Sequence, residues 1–308
     1  MSKLFIIGNG FDVAHGMPTS YEEFHEYLKC EYPNAVETNW GLPEWKLMPD
    51  GAIYYSEDEE VGFIESIITD VEGEKWSDLE NTLGYLEYDE YLDDWSDDEN
   101  DNPYDEVYRN QDLADTIYDL ITKIPNYFNE WIDTINLDEV VIKRDFCDLI
   151  SCSEDYFLTF NYTRTLEVIY GCQKVCHIHG IQGKQLLFGH GNNADYYEEN
   201  MAKHIGSEDV LAELHQKLRK DTKGALEKEC SFFKNLSSNI DEIYSYGFSF
   251  ADVDLIYIRE VCKNLKTNLM TWYLHDYNCA LHSKEYYRLQ NILKECGFEG
   301  EVMTFHIN

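Results

Sequence analysis

The chain has 308 residues, with 24 Lys+Arg against 60 Asp+Glu, a net charge of −36. At 44% hydrophobic and 15% aromatic it can bury a large core, which excludes a fully disordered acidic chain. The charge excludes broad contact with nucleic-acid phosphates, which takes many Lys and Arg, and repels an anionic membrane surface.

Lys3–Ile7 reads as a buried strand closed by Gly8-Asn9-Gly10, too short and too soon ended for a secretory core. A helical turn over Phe11–His15 follows, ending at Gly16. Pro18-Thr19-Ser20 opens a firmer helix, with Thr19 and Glu22 at capping-box spacing and Tyr21, Phe24 and Leu28 on one face. Residues 34–138 differ in kind. They hold five of the six Trp, and from Leu86 to Glu106 there are eleven acidic residues and no Lys or Arg. Leu113, Ile117, Leu120, Ile121 and Ile124 form one helical stripe, stopped by Pro125; Tyr127, Phe128, Trp131, Ile132 and Ile135 form the next. A mainly helical acidic insertion or lid over 34–138 is expected, on a core of residues 1–33 and 139–308.

Strand-like runs return at Tyr156–Phe160, Lys174–Ile178, Gln185–Phe188, Glu242–Tyr246, Asn268–Leu274 and Val302–Ile307. Helical patterns lie between them at Thr163–Tyr170, Val210–Leu236 and Lys284–Cys296. This alternation predicts an α/β fold, a Rossmann-like, mostly parallel sheet with helices on both faces. Nothing spans a membrane, and nine scattered Cys fit free thiols in a reducing cytoplasm.

Ligands of such sheets bind at the carboxyl ends of strands, where the polar sequences here are the candidate site. In Gly8-Asn9-Gly10-Phe11-Asp12 two glycines let the backbone approach a pyrophosphate; position 13 is Val where G-x-G-x-x-G has Gly, and a tight turn is the equal alternative. Asp12 is expected to cap the helix or accept from a ribose hydroxyl. Asn161 is either a ligand group or a turn former, with Thr163 as a helix cap. His177 and His179, ahead of Gly180, point to one face of a strand. Gly247-Phe248-Ser249 resembles a close-approach loop, with Asp252 as a cap. Glycines on both sides of His190 predict an exposed, mobile turn. Cys172, Cys176, His177 and His179 include zinc-type ligands, but strand alternation sends Cys176 and His177 to opposite faces, so no metal is expected.

In order along the chain, GNGFD at Gly8–Asp12 with its continuation HGMPTSYEEF, WSDLE at Trp76–Glu80, FLTFNYTRTLE, HIHG, FGHG and YSYGFSFADVD resemble the bacteriophage abortive infection AbiH family. The likeness runs from near residue 3 to about 260. That family is in turn similar to sirtuin-like NAD-binding domains. The resemblance implies an anti-phage protein that takes NAD as substrate and hydrolyses its N-glycosidic bond. It implies that Gly8, Asn9 and Gly10 cradle the pyrophosphate and that Phe11 walls the nicotinamide ribose. Asn161 would fix a water or the ribose hydroxyls, and His179, beside Gly180, would be the general base. Gly247, Phe248 and Ser249 would lie near the adenosine ribose, with Asp12, Thr159, Thr163, His177 and Asp252 as further binding positions. Glu80 reaches the pocket or, as the more expected outcome, forms a salt bridge. Lys184, Lys220 or Arg164 would offset charge near the anionic ligand, and the acidic run is expected to be a solvated loop far from it. Thr163 stands where sirtuin-like domains carry Asp, and no Cys-x-x-Cys pair exists, which argues against a deacetylase. Thr163 also keeps open a non-catalytic nucleotide sensor that signals to a phage-derived or host protein. An acidic face that occupies a basic partner surface is a further reading, and oligomer formation is left open.

Overall fold

A computed structural model describes residues 2–35, 41–43, 46–51, 53–92, 103–236, 239–277 and 279–307. Six strands, β1 (Ser2–Ile7), β2 (Tyr156–Thr159), β3 (Val175–His177), β4 (Ile240–Tyr246), β5 (Thr271–His275) and β6 (Glu301–Phe305), make one sheet. Its order is β3-β2-β1-β4-β5-β6 and every pair is parallel. The chain starts in the middle, winds to one edge, returns beside its first strand and winds to the other. This is the predicted α/β architecture.

A parallel sheet is covered on both faces, so its strands are apolar in and out. Leu4, Ile6, Leu158 and Ile243 pack on one side with Ile258, Val261 and Leu293. Phe5, Ile7, Phe157 and Tyr244 pack on the other with Phe146 and Leu166. On that second side Phe5 stacks between Phe157 and Tyr244, at 5.2 and 5.1 Å between ring centroids, one ring from each of three adjacent strands.

The chain divides into two compact units. Residues 1–19, 132–187 and 221–308 form the first, which holds the sheet. Residues 20–131 and 188–220 form the second, built largely of helices such as Tyr21–Glu31, Glu57–Glu72 and Pro103–Ile121. Residues 20–33 and 188–220, placed with the core in the sequence reading, thus cluster with the second unit.

Several local expectations shift. Ser20, not Thr19, caps the helix Tyr21–Glu31, accepting from the Glu23 N–H. The Leu113 stripe ends before Pro125, which sits in the first turn of the next helix, Ile124–Thr134, where a missing N–H costs nothing. Gln185–Phe188 is not a strand; the bond from Leu187 N to His179 O is isolated, and the run passes from one unit to the other. The pattern over Val210–Leu236 resolves into three helices, Glu208–Lys217, Thr222–Lys228 and Cys230–Lys234.

Candidate active site

In the order β3-β2-β1-β4-β5-β6 the winding reverses between β1 and β4, and a crevice opens outside the carboxyl ends of such a pair. The loops after these two strands meet there. Gly8 N donates to Tyr246 O and Gly10 N to Gly247 O, each at 3.0 Å. A Cβ on Gly8 would lie 2.5 Å from Gly247 O, and one on Gly247, at φ +66°, would lie 2.2 Å from Phe11 N. The glycines therefore first let the two loops touch each other. Beside them lies a cleft of about 550 Å³, lined by Gly10, Val13, Phe248, Ser249, Leu274 and Tyr277. Asn9 is exposed, its Nδ2 donating to Thr19 O at 2.7 Å. Phe11 does not wall this cleft. Its ring is fully buried against Phe146, Tyr170 and Tyr246 because it faces the second core layer.

Asp12 does not cap its helix either, since the first turn has no side-chain cap. Its carboxylate is buried and accepts from Thr163 Oγ1 at 2.5 Å and Thr165 Oγ1 at 3.0 Å. Burial raises the Asp12 carboxyl from 3.8 to about 6, against the Thr163 and Thr165 hydroxyls and the nearby Asn161 amide, which favour its charge. The Thr163 hydroxyl is thus committed to Asp12, and Thr163 is not the cap of helix Thr165–Val168. Asn161 lies close to Asp12. Its backbone N–H donates to Thr159 Oγ1 at 3.1 Å; its buried side chain makes no close hydrogen bond through Oδ1 or Nδ2 and favours the Asp12 carboxylate from nearby. Leaving a buried polar group without a close partner costs about 1–3 kcal/mol, which makes the Asn161 amide a candidate binding group.

The two histidines part company because β3 ends at His177 and the chain turns through Ile178 and His179 to Gly180, at φ +92°. They do not share a strand face. His177 Nδ1 lies 3.1 Å from Asn161 O and Nε2 lies 2.9 Å from Glu167 Oε1, so both nitrogens face acceptors. Burial works against the Glu167 charge, yet the His177 hydrogen bond and charge hold its carboxyl below the ordinary range. His179 Nε2 lies 3.0 Å from Asp254 Oδ1, and the ring meets Phe160 and Tyr257 edge-on. Asn161 and His179 share no hydrogen bond; the flanking rings of Phe160 and Tyr162 are what reach the imidazole. A second cleft, of about 360 Å³, is lined by His177, His179, Gly180, Gln185, Asp221 and Lys228.

Asp252 is exposed and caps nothing. The residue that sequence reasoning missed is Asp254, two positions on. A signal was available: Asp254 precedes Ile258 and Val261 at helical spacing, an acid placed on an apolar stripe.

His190 and Glu80 are tied into the fold. His190 is buried, not on an exposed turn: Nε2 donates to His215 O at 2.9 Å, Nδ1 accepts from Asn192 N, and burial pulls the imidazole down from 6.5 to about 4. Glu80 forms the expected salt bridge, 2.8 Å from the buried Lys220 amine. Lys184 and Arg164 are exposed. All nine Cys are free, and among the described residues no three His, Cys, Asp or Glu side chains are gathered as a metal requires. Among them, too, no helix is long and apolar enough to cross a membrane. Residues 93–102 of the acidic run lie outside the described residues.

A family model described as bacteriophage abortive infection AbiH matches residues 4–276, which takes in both glycine loops, Asn161, His179 and Asp254. No curated protein and no solved structure matches the chain at a significant level.

Proposed function

The chain belongs to the bacteriophage abortive infection AbiH family, and for this anti-phage protein we propose that the sheet unit binds NAD or a related nucleotide at the β1–β4 crevice and hydrolyses its N-glycosidic bond. The observation that carries the reading is the Asn161 amide, buried at the end of β2 beside Asp12 with no close hydrogen bond to either side-chain atom. Cleavage of that bond passes through an oxocarbenium-like state, and catalysis consists of holding the ribose and positioning a water. The Asn161 amide supplies one acceptor and two donors for this task. His179, whose ring lies on the wall of the separate cleft of about 360 Å³, takes the proton, and the Asp12 carboxyl, raised to about 6 beside Asn161, is a second proton-transfer group. The cleft of about 550 Å³ beside Gly10 and Ser249 has the size of a nucleotide site and takes the adenosine end. The likeness of the glycine, Asn161 and His179-Gly180 motifs to sirtuin-like domains supports the same assignment.

The second reading is a sensor that binds the nucleotide without turnover. It is favoured by Asp12, whose two oxygens already accept from Thr163 and Thr165. Purified protein incubated with NAD, alone and with lysate of phage-infected cells, decides between them. Hydrolysis predicts nicotinamide release, lowered about 100-fold or more in Asn161→Ala with NAD binding kept. Binding without release in either mixture establishes the sensor. Absence of both rejects the nucleotide site.

A further inference from the structure

We infer that Asp254 is the positioning residue for His179: it holds the ring in its Nε2–H form and turns Nδ1 into the proton acceptor of the site. The inference rests on the proposed hydrolysis and names a residue that reading lacks. The pair is close and dry, with Nε2 3.0 Å from Oδ1 and side chains only 4% and 9% exposed. Among the described residues Nδ1 of His179 has no hydrogen-bond partner, while the ring lines the cleft of about 360 Å³. A carboxylate that accepts from one ring nitrogen leaves the lone pair on the other, so the tautomer is set by the partner and not by the substrate. Asp254 is placed for this at the expense of local structure. It is the residue before helix Leu255–Asn264, where an acid ordinarily caps, and its side chain makes no cap bond. Tyr257 from the same helix and Tyr162 from the loop after β2 face the ring, and Asp221, Lys228 and Glu229 stand on the cleft wall.

In the reaction the His179 Nδ1 lone pair accepts a proton from the attacking water; the water oxygen keeps the electron pair and bonds to the anomeric carbon. The nicotinamide nitrogen leaves with the electrons of the broken bond. The imidazolium so formed is stabilised by the Asp254 charge and returns its proton to solvent.

Two measurements test this on the full chain. Nitrogen-15 NMR of the histidine rings at neutral pH is expected to show His179 protonated at Nε2 alone in the wild type, and at Nδ1 to a measurable extent in Asp254→Asn. Nicotinamide release is expected to fall about 100-fold or more in kcat in Asp254→Asn with KM moved less than about threefold, the acid limb of the pH profile displaced, and partial recovery in Asp254→Glu. Thermal melting of both variants establishes that they fold. A His179 ring protonated at Nδ1 in the wild type, or unchanged in Asp254→Asn, overturns the inference whatever the activity. Wild-type release with an unaltered kcat and pH profile in Asp254→Asn overturns it alone. Wild-type protein that leaves NAD intact overturns the hydrolysis and Asp254's part in it together.

Discussion

Asp12 is kept ionisable in a place that disfavours its charge. A shift from 3.8 to about 6 corresponds to about 3 kcal/mol against the ionised form. Because the folded state holds the proton more tightly than the unfolded chain, stability falls as pH rises from about 4 to about 6 and stays lower above. Asp12→Asn should therefore melt higher than wild type at pH 7, by up to about 3 kcal/mol, with the difference gone below pH 4. The same variant should lose nicotinamide release if the carboxyl serves the site, the usual exchange of activity for stability. Glu167 works with the opposite sign: its carboxyl, held below the ordinary range, adds stability that is fully present above that range and lost as pH falls below it. Lys220 offers a third case. Its amine is fully buried and faces Glu80 at 2.8 Å. Glu80→Gln removes the facing carboxylate and should cost about 3 kcal/mol in urea unfolding, with unfolding midpoint the quantity to compare.

At the scale of elements, the β1 and β4 loops are one construction. Gly247→Ala places a Cβ 2.2 Å from Phe11 N at a left-handed φ, so backbone must move. Gly16→Ala also meets a left-handed φ, +73°, but with open space around it. The first should destabilise by at least about 2 kcal/mol and the second by about 1, a contrast that chemical unfolding of the two variants checks. Six of the seven strand-like runs in the sequence are strands, since each is a short apolar stretch closed by a turn and each finds a parallel partner. Gln185–Phe188 looked the same but lay where the chain changes units, and apolarity alone does not supply a neighbour to ladder with. The candidate loops were legible because Gly-x-Gly and Gly-Phe-Ser follow strands directly. What they touch was not: that Gly8 and Gly10 press on Gly247, that Thr163 spends its hydroxyl on Asp12, and that Asp254 and not Asp252 turns inward are facts of packing between segments more than 70 residues apart in sequence, or of helical phase after a loop.

For the molecule as a whole, a net charge of −36 on 308 residues means self-repulsion that salt relieves. Raising ionic strength from about 0.01 M to about 0.15 M shortens the screening length from about 30 to about 8 Å and should raise the melting temperature by about 2–4 °C. The approach of an anionic nucleotide should quicken over the same range, the reverse of a basic phosphate site; association rates at the two salt levels measure it.

The first strand also lies at the centre of its sheet. Leu4 pairs with Tyr156 on one side and Ile243 on the other. On the ribosome, at about 5–20 residues per second, roughly eight to thirty seconds pass before even the nearer partner is translated. Through that interval the nascent Leu4–Ile7 segment is without its sheet neighbours. A transcript truncated before β4 yields a polypeptide with one wall of the crevice and no opposite wall.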